Sequence, residues 1–429
     1  MDKCINIKLP YGEKDYQTAS IPLKNYLGYY CIKENILLKN LNSKIKEVIS
    51  KPISSPSLYR LVKGKNNILI ICDDNTRKTP VKFILSVLLE FLNSIGIRDS
   101  NIKILFALGT HRPMTNEEIK KKIGEDVFYR IKPYNHDCRK NLIFRGKTSL
   151  GIPIYINKLV DDADFIMGIG NIIPHRYCGW AGGGKIILPG ICGEETIIKM
   201  HSLVMKDLSI KLGNLNNSAY REINEVAKIV GLKFIINTIL NGNNEIVDVV
   251  AGNVEETHRR GIKIAEDTLK VPIPTSDAVV ISSYPEDLNL WQALKALYTA
   301  DCIIKEGGFI ILVSPLFEGI GEHREFIELL KYRSIEIEKK IQNNEIQDLL
   351  SGIAAFTESM VIEKNKVLIV TGGISDKVAE KMEFKIFGSL QEAINNIIAK
   401  KPNLKISCIK EGINILPITV DGIKESISA

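Results

Sequence analysis

The sequence predicts an α/β protein of two α/β domains with mainly parallel sheets and an active site in the cleft between them. Three observations carry this. The 429 residues exceed one ordinary domain of ~100–200 residues. Short apolar runs end abruptly in polar or glycine-rich turns and are followed by helical periodicity, as buried parallel strands do. A proline-bearing stretch, VPIPTSDA, separates a helical segment from a fresh strand and sets a boundary between domains at 1–270 and 271–429.

In chain order, strands are expected at 67–72, 102–108 and 165–167, each with polar or glycine-rich residues just after it. Helical spacing predicts a helix over 81–95 and another from Asn116, with Thr115 as its cap. Beyond the boundary, strands are expected at 279–282, 308–313, 367–371 and 405–409, and helices near 289–298, 322–332 and 376–382. No repeat at a fixed period is visible, which excludes a solenoid. In open α/β sheets ligands collect beyond the carboxyl ends of strands, so the turns there are the first place to look.

Composition narrows the function classes. The net charge of +7 is spread over 57 basic and 50 acidic residues without a block of like charge, so nucleic acid is not an expected partner. The first residues lack a basic-then-apolar signal, and the longest apolar runs fall short of the ~18–20 residues that span a bilayer, so no membrane is expected either. Eight scattered cysteines without a C-x-x-C pair suggest neither a disulfide framework nor a zinc cage, which fits a reducing cytoplasm.

The chemistry-bearing residues sit in the turns. DDNTRKTP offers Asp73, Asp74, Thr76 and Arg77 after a strand; the planar fork of Arg77 suits a carboxylate or phosphate, and the alternative is a solvated turn. GTHR and PHR each set a histidine, His111 and His175, beside an arginine, where paired imidazoles could serve two faces of one substrate; otherwise they are two unrelated loop histidines. His175 and Cys178 are also spaced for joint metal ligation. GWAGGGKIILPG holds the triple glycine before Lys185, which would let backbone approach a bulky ligand and offers a lysine as phosphate partner or covalent anchor. It is not a phosphate-binding P-loop, because Ile186 follows the lysine, and GIGNII does not complete a dinucleotide fingerprint. A helix from Glu194 carries His201 in a fixed direction, as metal ligation needs, or as a half-buried core residue. In WQALK, Gln292 and Lys295 share one helical face, as a carboxylate grip or a solvated surface. His136, His258 and His323 lie outside these turns.

Taken in order, DDNTRKTP, GTHRPMT, IIPHRYCGWAGGGKIILPG, the His201 helix and WQALK resemble the nickel-dependent lactate racemase family, from about residue 10 to beyond 420. The resemblance implies that Lys185 forms a thioamide with a pyridinium-3,5-bisthiocarboxylic acid mononucleotide. Nickel would be pincered by two sulfurs and a ring carbon, with His201 as protein ligand. It further implies His111 and His175 as the proton-transfer pair, Arg77, Gln292 and Lys295 as substrate contacts, and Asp74, Thr76, Gly183 and Gly184 in cofactor binding. Residues 1–270 would then hold cofactor and nickel, and 271–429 would add substrate contacts. The implied reaction interconverts L- and D-lactate: C2 hydrogen leaves as hydride for the cofactor while a histidine takes the hydroxyl proton, and hydride returns to the other face. The implied partners are a small 2-hydroxy acid and the enzymes that build the cofactor.

Three alternatives stay open on the sequence. The substrate could be another 2-hydroxy acid, such as malate, hydroxyglutarate, an aromatic hydroxy acid or a sugar acid. A cofactor carrier without turnover is disfavoured by intact histidines at 111 and 175, and a pyridine-nucleotide dehydrogenase by the missing glycine fingerprint.

Overall fold

The computed structural model describes residues 3–34 and 37–420. Its two large sheets are built from β1 Tyr26–Tyr30, β2 Ile68–Asp73, β3 Ile102–Ala107, β4 Pro133–Asn135, β5 Phe165–Asn171, β6 Leu232–Leu240, β7 Ile246–Gly252, β8 Ser276–Ser282, β9 Ile304–Val313, β10 Lys366–Val370, β11 Lys385–Phe387 and β12 Ile406–Ile409. The chain forms two compact units, Glu34–Thr268 and Met1–Lys33 joined with Leu269–Ala429.

In the unit Glu34–Thr268 the strand order is β7-β6-β5-β2-β3-β4. All neighbours are parallel except β7, which returns antiparallel to β6. Both β2 and β5 are buried along their whole length, which is why they read as continuous apolar runs rather than alternating ones. Helix Val81–Ser94 buries Val81, Ile84, Leu85, Leu88 and Leu92, a single stripe at helical spacing, against a core that includes Ile70 and Ile104. Helix Asn116–Ile123 starts at Thr115, whose hydroxyl accepts from the Glu118 N–H while Glu118 reaches back to the Thr115 N–H. From β2 the chain steps outward to β3 and β4, then returns to place β5 on the other side of β2. That reversal makes the carboxyl ends of β2 and β5 a topological switch point, where loops diverge and leave room for a ligand.

The other unit holds an all-parallel sheet in the order β11-β10-β9-β8-β12-β1, with its own reversal between β8 and β12. Residues 1–33, expected with the N-terminal domain, belong here. The hairpin Cys4–Tyr11/Asp15–Pro22 puts Ile7, Leu9, Ala19 and Ile21 into the core formed by Ala278, Val280 and Phe309, and β1 covers the edge of β12. An alternating strand must bury its apolar face somewhere, and nearness along the chain does not decide where. The stretch VPIPTSDA also contains a short strand, Lys270–Ile273, paired in parallel with Leu416–Thr419. The helix expected over 289–298 is two, Leu290–Ala293 and Ala296–Asp301, because the N–H groups of Lys295 and Leu297 reach only three residues back and tighten the turn. Among the described residues no helix is long and apolar enough to cross a membrane.

Candidate active site

The turn after β2 is fixed by its own side chains. Asp74 is buried, and its Oδ1 accepts from the Thr76 N–H at 3.0 Å and the Thr76 hydroxyl at 2.6 Å. Its Oδ2 lies 2.7 Å from His111 Nδ1 on the loop after β3. Burial pushes the Asp74 carboxyl up, but the charges of His111 and Arg77 and the hydrogen bonds from His111 and Thr76 outweigh it and hold the group well below the usual carboxylate range. An ionised Asp74 only accepts, so His111 Nδ1 carries the proton, and in the neutral ring the lone pair sits at Nε2. Asp74 and Thr76, expected to hold cofactor, are thus engaged in orienting His111.

Helix Asn116–Ile123 clamps both loops. Glu118 takes a bidentate pair from Arg112 at 2.9 and 2.8 Å and the Asn75 amide at 2.9 Å. One turn on, the buried Lys122 ammonium meets Asp73 Oδ1 at 2.8 Å and donates to the Arg77 carbonyl at 2.7 Å. Thr79 donates to the second oxygen of Asp73. Arg112 therefore serves the frame rather than a ligand, as does Arg176, which donates to the Ile210 carbonyl at 2.6 Å.

The loop after β5 is built differently. His175 and Gly179 form a two-strand ladder with Pro174 and Trp180, and the Tyr177 N–H donates to His175 Nδ1 at 3.2 Å. That places the lone pair at Nδ1 and, in the neutral ring, the proton at Nε2. Cys178 Sγ is 3.6 Å from His175 Nδ1 but donates to the Trp180 carbonyl at 3.2 Å. Burial pushes its thiol up to about 11, despite the nearby charges of Lys185 and Arg77. The residues expected as a joint metal pair do meet, with the sulfur donating to the Trp180 carbonyl.

The three glycines before Lys185 make room for the protein's own atoms. Gly182 and Gly183 have φ of +96° and +56°. A Cβ on Gly183 would lie 2.7 Å from the His258 ring, and one on Gly184 would lie 3.0 Å from Ala227 Cβ. The Gly183 N–H donates to Asn237 Oδ1 on β6 at 2.9 Å. His258 is buried, kept neutral with its pKa lowered by burial to about 4, and its Nε2 donates to the Ala181 carbonyl at 2.9 Å. These glycines let the short helix Gly183–Ile186 lie against its own unit.

His201 ends helix Glu194–His201, and its Nδ1 donates to the Ile197 carbonyl at 2.9 Å, so the neutral ring carries its lone pair at Nε2. The edge of the Tyr177 ring packs on His201 at 4.8 Å between centroids, and Tyr177 also neighbours His175 at 6.2 Å. Two groups therefore form within this unit: Asp74, Thr76, Arg77 and His111, and His175, Tyr177, Cys178, Lys185 and His201. Arg77 belongs to both, its charge acting on Asp74 and on Cys178.

Gln292 and Lys295 lie in the other unit, on the segment after β8. Lys295 Nζ donates to Gln292 Oε1 and, at 2.6 Å, to the buried Glu286. Trp291, just before Gln292, stacks on His323 with centroids 4.0 Å apart, and His323 in turn meets Asp348 at 2.7 Å. His136 is likewise structural, donating from Nε2 to the Cys192 carbonyl at 2.9 Å.

Sequence reasoning missed Lys122, Glu118, Asn237, His258, Tyr177 and Glu286. Only Glu286 carried a signal of the kind used elsewhere, an acidic turn directly after a strand.

The comparisons with known proteins agree with this layout. Family models described as the lactate racemase N-terminal and C-terminal domains match residues 11–213 and 272–417. A lactate racemase of Lactiplantibacillus plantarum is 29% identical over 423 residues, covering 96% of this chain and 99% of its own. One of Thermoanaerobacterium thermosaccharolyticum is 30% identical over 423 residues with the same coverage of 96% and 99%. The solved lactate racemase apoprotein from Thermoanaerobacterium thermosaccharolyticum superposes with a TM-score of 0.86 at 29% identity, over 96% of this chain and all (100%) of that one. A Thermotoga maritima protein at 21% identity shares the fold, with a TM-score of 0.72 over 90% of this chain and 100% of its own. On the family models and the near-complete span of these relatives, the chain belongs to the lactate racemase family.

Proposed function

We propose that this protein interconverts L- and D-lactate in the cytoplasm by hydride transfer at C2, using a nickel-pincer pyridinium mononucleotide tethered to Lys185. The observation that carries the reading is the grouping of Arg77, His111, His175 and Lys185 on the loops leaving the adjacent strands β2, β3 and β5, with His201 on the helix that follows.

The residues fit such a group. The bond from His201 Nδ1 to the Ile197 carbonyl fixes the ring and leaves Nε2 as the nitrogen that would meet a metal, which is how a metal-ligating histidine is oriented. Lys185 would be the covalent anchor, and the neutral Cys178 beside it does not compete as a thiolate. When bound, the cofactor supplies a ring carbon that can take the C2 hydrogen with its electron pair. The substrate favours that route, because loss of the same hydrogen as a proton would leave a carbanion beside a carboxylate. Arg77 grips the carboxylate with its planar fork, while Lys295 and Gln292 supply further donors. As the C2–H pair departs, His111 takes the hydroxyl proton at Nε2 and Asp74 faces the positive charge that forms on the ring. A C=O bond replaces the C–H bond, giving a flat 2-keto acid. On the opposite face the oxygen must receive a proton from a histidine in its imidazolium form, and His175, whose Nε2 carries a proton while Nδ1 faces the Tyr177 N–H, would fill that place.

Racemisation of 2-deuterated L-lactate in ordinary water tests this on protein matured beside the cofactor-building enzymes. Deuterium retained in the D-lactate is expected, since hydride held on carbon has no exchangeable site. D-lactate that has lost its label, or peptide mapping that finds Lys185 unmodified in active enzyme, would sink the proposal.

A further inference from the structure

We infer that Glu286 is a positioning residue: its buried carboxylate fixes the Lys295 ammonium and, through it, decides which end of the Gln292 amide is offered to a substrate oxygen. The Glu286 side chain is 2% exposed, against 21% for Lys295, and Oε2 stands 2.6 Å from Nζ. A carboxylate that deep is sustained by a paired cation, and its shielding from water strengthens the pairing.

The turn that carries it is tied at successive points. The Glu286 N–H bonds the Ser283 carbonyl at 3.0 Å, Asp287 Oδ2 accepts the Gly12 N–H at 3.0 Å, and the Leu288 carbonyl accepts from Glu318 at 2.7 Å. Asn289 then caps the following helix, its Oδ1 accepting the Gln292 N–H at 3.1 Å. Glu286 is therefore held by backbone on both sides.

Lys295 donates to Glu286 and to Gln292 Oε1, and these two bonds together hold the ammonium in place. With Oε1 accepting from Lys295, the donor end of the Gln292 amide is its NH₂. One buried carboxylate thus gives a flexible lysine a fixed place and an ambiguous amide a defined orientation. The pair Glu286–Lys295 is neutral overall, so it acts by direction rather than by surplus charge.

This inference rests on the reading that Gln292 and Lys295 contact substrate, and its test separates the two. In the apoprotein, an amine-acylating reagent used sparingly at pH 8 reads the free-amine fraction of each lysine by peptide mass spectrometry, with exposed Lys331 and Lys400 as internal standards. In Glu286→Gln the lost counter-charge should raise Lys295 labelling relative to those standards about tenfold. A merely structural role would raise all lysines together or none. Equal relative labelling in the parent chain and Glu286→Gln overturns the proposal. Should that variant not fold, Glu286→Asp carries the same test: withdrawing the carboxylate by one methylene should raise labelling about threefold, and parity overturns it. In the loaded enzyme, Glu286→Gln should raise KM for lactate by about tenfold with a smaller change in kcat. Raised labelling with an unchanged KM leaves Glu286 as the positioning residue of Lys295 and overturns the substrate contact assigned to that lysine.

Discussion

The loops after β3 and β5 each present a histidine, but they prepare it in opposite ways. His111 is held by a buried carboxylate that takes its Nδ1 proton, whereas His175 is held by a backbone N–H that gives its Nδ1 a proton to accept. In the neutral rings the lone pair thus sits at Nε2 of His111 and at Nδ1 of His175. On the proposed reading one ring takes the hydroxyl proton while the other, as its imidazolium, returns one to the opposite face. The chain distinguishes the two rings with one carboxylate and one peptide group.

The largest expected effect comes from removing either ring. His111→Ala and His175→Ala should each lower racemisation by the loaded enzyme ~10²-fold or more, the usual scale for a positioned acid–base group. A near-normal rate in one of them, measured by chiral analysis of lactate, would break the two-sided arrangement. A sharper probe is Asp74→Asn, whose amide can donate to His111 Nδ1 and so turn this ring into the tautomer of His175. Activity should fall ~10-fold or more with the fold retained, as when the orienting carboxylate of a catalytic histidine is made an amide.

The same variant carries a pH signature. Asp74 is held below its ordinary value in the folded chain, so its contribution to stability is present above the unfolded pKa of about 4 and is lost as pH falls below it. At neutral pH Asp74→Asn should melt below the parent chain, and the gap should narrow on acidification below about pH 4. A gap that is constant with pH would mean that the Asp74–His111 pair does not stabilise the fold. The smallest effect belongs to Cys178→Ser: a hydroxyl can replace a neutral thiol as donor to the Trp180 carbonyl, so nickel content should stay unchanged and rate within ~3-fold. Loss of nickel in that variant would show the sulfur to be a ligand and undo its assignment as a neutral neighbour.

Much of this was legible in the residues. Continuous apolar runs ending in polar turns located β2, β3, β5, β8, β9, β10 and β12 to within a few residues, since a strand buried on both faces has no choice of composition. Thr115 announced a helix start, because a cap is a local matter between a side chain and the N–H groups just after it. The same locality made His111, His175, Lys185 and His201 visible as chemistry in turns, and joined Gln292 to Lys295 on one face. The order of those motifs, not their spacing alone, marked the family.

What the sequence by itself determined, then, was everything that depends on neighbours along the chain: strand and helix identity, capping, and the concentration of reactive side chains just after strands. Only the tertiary structure decided which side chains answer one another across long separations. Residues 1–33 joined the far end of the chain because their apolar face found its core there. Asp74 met His111, and Gly183 and Gly184 lie close against His258 and Ala227. Each of these is a meeting of groups at least 37 residues apart. Burial strengthens such meetings and hydrogen-bond geometry directs them, and neither burial nor direction is written in the local pattern of residues.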